Sequence, residues 1–163
     1  MFKGMLLLVI AAVFSLANTD AATINFEKLP FDLALKVVKG SGQRKLAYFT
    51  DPDCAYCQKL ESELRKLDNV TLYMFLYPVS SVSEEIVHNI MCANDPTKAW
   101  DDWTKNRRLP PFRNCTTKTK KVLALGKKLH VGGTPMLIFS NGAMVPGYKP
   151  SSTLELMMFA ASQ

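Results

Sequence analysis

The residues best suited to chemistry are Cys54 and Cys57, spaced C-x-x-C around Ala55-Tyr56. Disulfide exchange needs a thiolate that attacks and a second thiol that releases the mixed disulfide. Two cysteines at the start of a helix supply both. Cys54 would sit where unpaired backbone N–H groups and the helix dipole favour negative charge, which lowers its pKa and makes it the nucleophile. Cys57 would lie one turn on, beneath it, and resolve the intermediate. The carboxylates of Asp51 and Asp53 work against a thiolate, although Asp53 could instead cap the helix. No Lys, Arg or His stands between the two cysteines, so the expected lowering is moderate.

A single C-x-x-C also occurs in zinc ribbons, which carry two copies. Here there is one copy, and Cys92, Cys115, His88 and His130 are too irregularly spaced to complete a ligand set. No metal and no organic cofactor is expected. His88 and His130 are expected at the surface or satisfied by neighbours. Trp100 and Trp103 are read as core. The four cysteines allow three pairings, and the spacing does not choose among them. Some 80 residues after the pair stands Gly132-Gly133-Thr134-Pro135. A proline entering a strand behind two glycines suits a tight turn, with the preceding bond either cis or trans.

The pair must be positioned by the elements around it. Phe31, Ala34, Leu35 and Val38 recur at helical spacing behind Pro30, and Gly40-Ser41-Gly42 would end that helix. Residues 45–50 read as a buried strand broken by Asp51-Pro52-Asp53. Leu60, Leu64 and Leu67 fall on one face of the helix that starts at Cys54, and Glu61 and Arg65 form an i,i+4 charge pair. Residues 70–77 are almost wholly apolar, as in a strand buried on both faces. Ser81 and Glu84 read as a capping box for a helix with Ile86, Val87, Ile90 and Met91. Asp95-Pro96 opens a helix with Trp100 and Trp103, which Pro110-Pro111 ends. A third runs from Lys118 to Leu129. Met136 to Phe139 is a strand, Asn141-Gly142 a hairpin turn, and Ser152 with Glu155 a capping box for a last helix. The order is β-α-β, a helical insertion at about 81–130, then β-hairpin-α.

The chain has 163 residues and a net charge of +6. Its basic pairs are scattered, which argues against nucleic acid as a partner. Lys3 followed by an apolar run from Met5 to Leu16 and small residues has the layout of a secretory signal, cut after Ala17 or Ala22. About 12 apolar residues are too few to span a bilayer. Residues 1–22 are therefore expected to be a signal peptide and 23–163 one exported domain, with its cysteines in an oxidising compartment.

With these residues in hand, the chain resembles the catalytic domain of the bacterial DsbC/DsbG protein-disulfide isomerases. The resemblance is carried by residues 49–61 around the cysteine pair, by Gly133-Thr134-Pro135, and by Ser140-Asn141-Gly142 with Val145-Pro146-Gly147-Tyr148. Ala99-Trp100-Asp101-Asp102 and the spacing of Cys92 and Cys115 also match, and coverage runs from about Leu29 to Phe159. It implies an α/β, thioredoxin-like fold with a helical insertion. It also implies Cys54 as nucleophile, Cys57 as resolving thiol, Pro135 as a cis-proline with Thr134 beside bound substrate, and Cys92–Cys115 as a structural disulfide. That bridge would close a loop of about 24 residues, worth roughly 3 kcal/mol in the loop-entropy model; a second redox pair is the other reading. Ala55-Tyr56 is close to the Gly-Tyr of the isomerases and unlike the Pro-His of the strong oxidases.

The family's isomerases carry an N-terminal dimerisation domain, for which only about a dozen residues stand between the signal and Phe31. A monomer is expected. The reading that results is a periplasmic thiol-disulfide oxidoreductase that reduces or isomerises disulfides in exported proteins, reset by a membrane reductase of the DsbD type. The rivals are a dithiol oxidase and a non-catalytic accessory module of a secretion or conjugation apparatus.

Overall fold

The computed structural model describes residues 24–163; the expected signal peptide lies outside them. The order of elements is two short 3-10 turns (Phe26–Lys28 and Phe31–Leu33), β1 (Leu35–Lys39), β2 (Arg44–Thr50), α1 (Ala55–Leu64), β3 (Val70–Leu76), α2 (Ser81–Met91), α3 (Pro96–Asn106), α4 (Thr119–Lys128), β4 (Met136–Phe139), β5 (Met144–Pro146) and α5 (Ser151–Ala161). One five-stranded sheet runs β1-β3-β2-β4-β5. β2 and β3 pair in parallel, and the other neighbours pair antiparallel.

β2 is the central strand, and Leu46, Ala47, Tyr48 and Phe49 are wholly buried. Alternation along it feeds two cores. Leu46 and Tyr48 face α1, α2, α3 and α5 through Leu60, Leu64, Ile90, Trp100 and Leu154. Ala47 and Phe49 face the N-terminal turns and α4 through Phe26, Phe75 and Val122. The insertion α2–α4 therefore supplies helices to both faces. No helix among the described residues is long and apolar enough to cross a membrane.

Four local expectations are corrected. The helix expected around Phe31 to Val38 is a 3-10 turn followed by the edge strand β1. Leu35, Val37 and Lys39 alternate with the exposed Lys36 and Val38, and the open edge of β3 supplies the pairing that the segment cannot supply for itself. The cap of α2 is Ser80, whose hydroxyl accepts from the Ser83 N–H at 3.1 Å, rather than Ser81. Ser152 does not cap α5. That helix start is met by Glu63 of α1, which accepts from the Ser151 N–H at 2.9 Å, and Glu155 pairs with Arg44. Glu61 and Arg65 do not pair either: Glu61 turns inward, and Arg65 reaches Asp101 at 3.8 Å.

Gly126 on α4 lets the Tyr77 ring lie against the helix. A Cβ there would come within 2.3 Å of the ring, which packs edge-on to Phe49. Gly126→Ala gains about 1 kcal/mol of helix propensity but displaces that ring, and overpacking costs about 1–3 kcal/mol. The expected result is a net loss of about 1 kcal/mol, read as a lower urea midpoint with unchanged slope.

Candidate active site

The site is built where β2 ends and α1 begins. Asp51-Pro52-Asp53 turns the chain, and Cys54 becomes the N-cap of α1. Its sulfur takes the place of a capping oxygen, accepting from the Cys57 N–H at 3.3 Å. Asp53 therefore does not cap the helix. Cys54 is half-buried and Cys57 is wholly buried, and both are free thiols. The Cys54 thiol also donates toward the Thr134 carbonyl at 3.5 Å, so the loop 80 residues away closes over the pair. The Thr134–Pro135 peptide is cis.

Burial, together with the Cys54 neighbour, pushes the Cys57 thiol up to about 12. It is a thiol, not a thiolate, at neutral pH. The backbone N–H of Asp51 donates to its sulfur at 3.5 Å.

Asp51 does not face the thiols with its carboxylate. The side chain is buried and turns toward the start of α2. Oδ1 accepts from the Asp53 N–H at 2.7 Å and the Ser83 hydroxyl at 3.0 Å, and Oδ2 accepts from the Val79 N–H at 2.8 Å. From the sequence Asp51 reads only as a charge beside the cysteines; that it holds three segments together is visible only in the fold. The run Asp51-x-Asp53 before a helix was a legible turn signal, but its partners were not.

A second buried carboxyl lies one turn beyond Cys57. Glu61 accepts from the Tyr48 hydroxyl at 2.8 Å, and the Trp100 indole N–H, without a hydrogen-bond partner among the described residues, faces it. Burial pushes Glu61 up to about 7. Its place between Leu60 and Leu64 on the apolar face of α1 was visible in the period of the helix. These groups line a groove of about 670 Å³ between β1, α1 and α3.

Trp100 is core, as read. Trp103 is not only core: its indole N–H donates to the Pro52 carbonyl at 2.9 Å. In the insertion Cys92 is bonded to Cys115, with the Cα atoms 5.9 Å apart. His88 stacks on Phe112 and bonds the Arg113 carbonyl. His130 sits in a turn with φ of 56°. Among the described residues, neither hydrogen-bonds to the Cys54–Cys57 pair. Among the described residues, no cluster of three His, Cys, Asp or Glu could hold a metal.

A parallel β2–β3 pair, a redox-type cysteine pair at the α1 N-terminus and a cis-proline loop packed on it define a thioredoxin-like protein. The thioredoxin-like domain family matches residues 31–162, and the chain belongs to that family. Within it the chain is one of the disulfide interchange proteins. It superposes on the disulfide interchange protein from Neisseria gonorrhoeae with a TM-score of 0.77 and 34% identity, over 82% of this chain and 98% of that one. It is 45% identical over 135 residues to a probable thiol:disulfide interchange protein DsbC of Bordetella pertussis, covering 82% of this chain and 48% of that protein. It is 33% identical over 115 residues to the thiol:disulfide interchange protein DsbC of Escherichia coli, again 48% of that protein. The chain thus spans about half the length of the curated relatives it matches.

Glu61 makes stability depend on pH. Its carboxyl titrates near 7 in the fold against an ordinary value of 4.5. Between those values the folded chain holds a proton that the unfolded chain releases. Stability therefore falls as pH rises from about 4.5 to 7, by up to about 3 kcal/mol. Glu61→Gln keeps an acceptor for Tyr48 and removes the titration. Urea denaturation at pH 5 and pH 8 should show a smaller loss in the variant than in the wild type.

Proposed function

We propose that this chain is a periplasmic thiol-disulfide oxidoreductase acting on disulfides of exported proteins, with Cys54 as the attacking and Cys57 as the resolving thiol. The observation that carries this is the asymmetry of the pair. Cys54 is reachable and its sulfur is held at the helix N-terminus by a backbone N–H, whereas Cys57 is wholly buried beneath it.

The Cys54 thiolate attacks one sulfur of a substrate disulfide. The S–S bond breaks, and the other sulfur leaves as a thiolate that takes up a proton. A Cys54–substrate disulfide remains. Cys57 then loses its proton and attacks the Cys54 sulfur, forming Cys54–Cys57 and releasing the second substrate thiol. Two electrons pass to the substrate. Because Cys57 is wholly buried, its thiol ionises reluctantly and resolution is delayed. During that delay a substrate thiol can attack instead, which rearranges the disulfide and returns reduced Cys54. Isomerisation is the outcome when a substrate thiol attacks first, and reduction is the outcome when Cys57 does. Thr134 and the cis Pro135 would offer their backbone to an extended substrate segment beside Cys54, as in strand addition. Cys92–Cys115 acts as a structural tie for the insertion.

A spent Cys54–Cys57 disulfide needs two electrons to be reset, and a membrane reductase of the DsbD type is the proposed donor. The catalytic unit acts as a monomer.

Reactivation of scrambled ribonuclease in a glutathione buffer tests the reading. The wild type should reactivate it, and Cys54→Ser should lose activity to background. Cys57→Ser should accumulate a mixed disulfide with substrate, visible on a non-reducing gel. Equal activity of wild type and Cys54→Ser would sink the assignment.

A further inference from the structure

The Pro52 carbonyl, two residues before Cys54, is bonded beyond the usual capacity of such an oxygen. It accepts from Gln58 Nε2 at 3.1 Å, Trp103 Nε1 at 2.9 Å and Arg107 Nη1 at 3.3 Å. A carbonyl oxygen has two lone pairs. Two of the three donors come from α3, about 50 residues along the chain. The Arg107 guanidinium also lies over the Trp103 ring, 5.0 Å from its centre, a favourable cation–π placement.

The backbone at Arg107 is arranged to make this contact. Arg107 ends α3 with φ of 54° and ψ of 29°. The left-handed conformation at a helix end is ordinarily taken by Gly or Asn and is unfavourable for other residues. Here it aims a charged side chain at the turn that carries Cys54.

We propose that Trp103 and Arg107 are positioning residues for Cys54. They hold the Pro52 carbonyl in place and neutralise the negative end of its dipole, and Arg107 places on the turn before Cys54 a positive charge that the turn's own residues lack. This rests on the reading of Cys54 as the attacking thiol.

The charges around that thiol make Arg107 consequential. Asp53 is on the turn itself and exposed, and buried Asp51 is behind it, engaged by three donors. Lys59 of α1 rests over the Tyr56 ring, 5.5 Å from its centre. Glu61 is buried a turn beyond Cys57. The β3–α2 side presents the Val79 N–H and Ser83, and the loop before β4 presents Thr134, neither bearing charge. From α3 come Arg107, with Asp102 and Arg108 beside it; Asp102 is already paired with Lys98.

The test is the rate at which iodoacetamide alkylates Cys54 in the fully reduced protein, followed by mass spectrometry across pH 4 to 9. Arg107→Gln should move the pH of half-maximal rate upward by about half a unit. Below that midpoint alkylation should be about threefold slower, since each unit is tenfold in thiolate fraction. Arg107→Lys should lie near the wild type. Trp103→Phe keeps a ring under Arg107 and removes only the indole donor, so it should fall between the two. Added 0.5 M salt should narrow the gap between wild type and Arg107→Gln. A superimposable profile for Arg107→Gln overturns the proposal, and so does a shift in Arg107→Lys as large as in Arg107→Gln. Failure of the underlying reading looks different: Cys54 of the wild type would then react no faster at pH 7 than an ordinary peptide thiol.

Discussion

A carboxylate removed from water has to be hydrogen-bonded, and Asp51 draws its donors from three separate segments. One is the turn before α1, one is the loop after β3, and one is the first turn of α2. Leaving any of these unmet would cost on the order of 1–3 kcal/mol, and more for a charge. The requirement fixes the end of β2 relative to β3 and α2. The Asp51 backbone in turn bonds the Cys57 sulfur and accepts from the Cys54 N–H. The geometry of the cysteine pair therefore depends on how one buried side chain is satisfied.

Around that anchor the two thiols are made unequal by position. Cys54 caps a helix and stays reachable; Cys57, one turn on, faces the core. Burial that would stabilise a Leu disfavours the ionised form of a thiol, so the two thiols differ although no charged residue stands between them. The same burial on the same face of α1 applies to Glu61, which the Tyr48 hydroxyl satisfies on one side. Thr134 closes the site from the loop before β4, which the pairing of β4 with β2 holds in place.

The helical insertion does more than cover the sheet. Its α3 presents Trp100 to the core, and Trp103 and Arg107 to the Pro52 carbonyl. The Cys92–Cys115 bond ties the end of α2 to the irregular segment ahead of α4, so both ends of α3 lead into constrained chain. An element distant in sequence from the cysteine pair thus reaches the turn that carries it.

Much of this was legible in the residues. The apolar runs at 45–50 and 70–77, the Asn141-Gly142 hairpin, the three insertion helices and the Cys54–Cys57 pair at a helix start all follow from local period and turn chemistry, because each depends on residues a few positions apart. The first strand was not legible, since its apolar spacing fits a helix and only the free edge of β3 makes it a strand. The cap of α5 came from Glu63 on another helix, and Glu61 left its expected partner for Tyr48. The bonds to Asp51 and Pro52 were likewise invisible. By itself the sequence determined most of the elements after the first strand and which thiols could do chemistry. Only the tertiary structure decided how Asp51 is satisfied, which group meets Glu61 and which distant cation meets the turn before Cys54, because hydrogen-bond partners are properties of chain segments brought together across the fold.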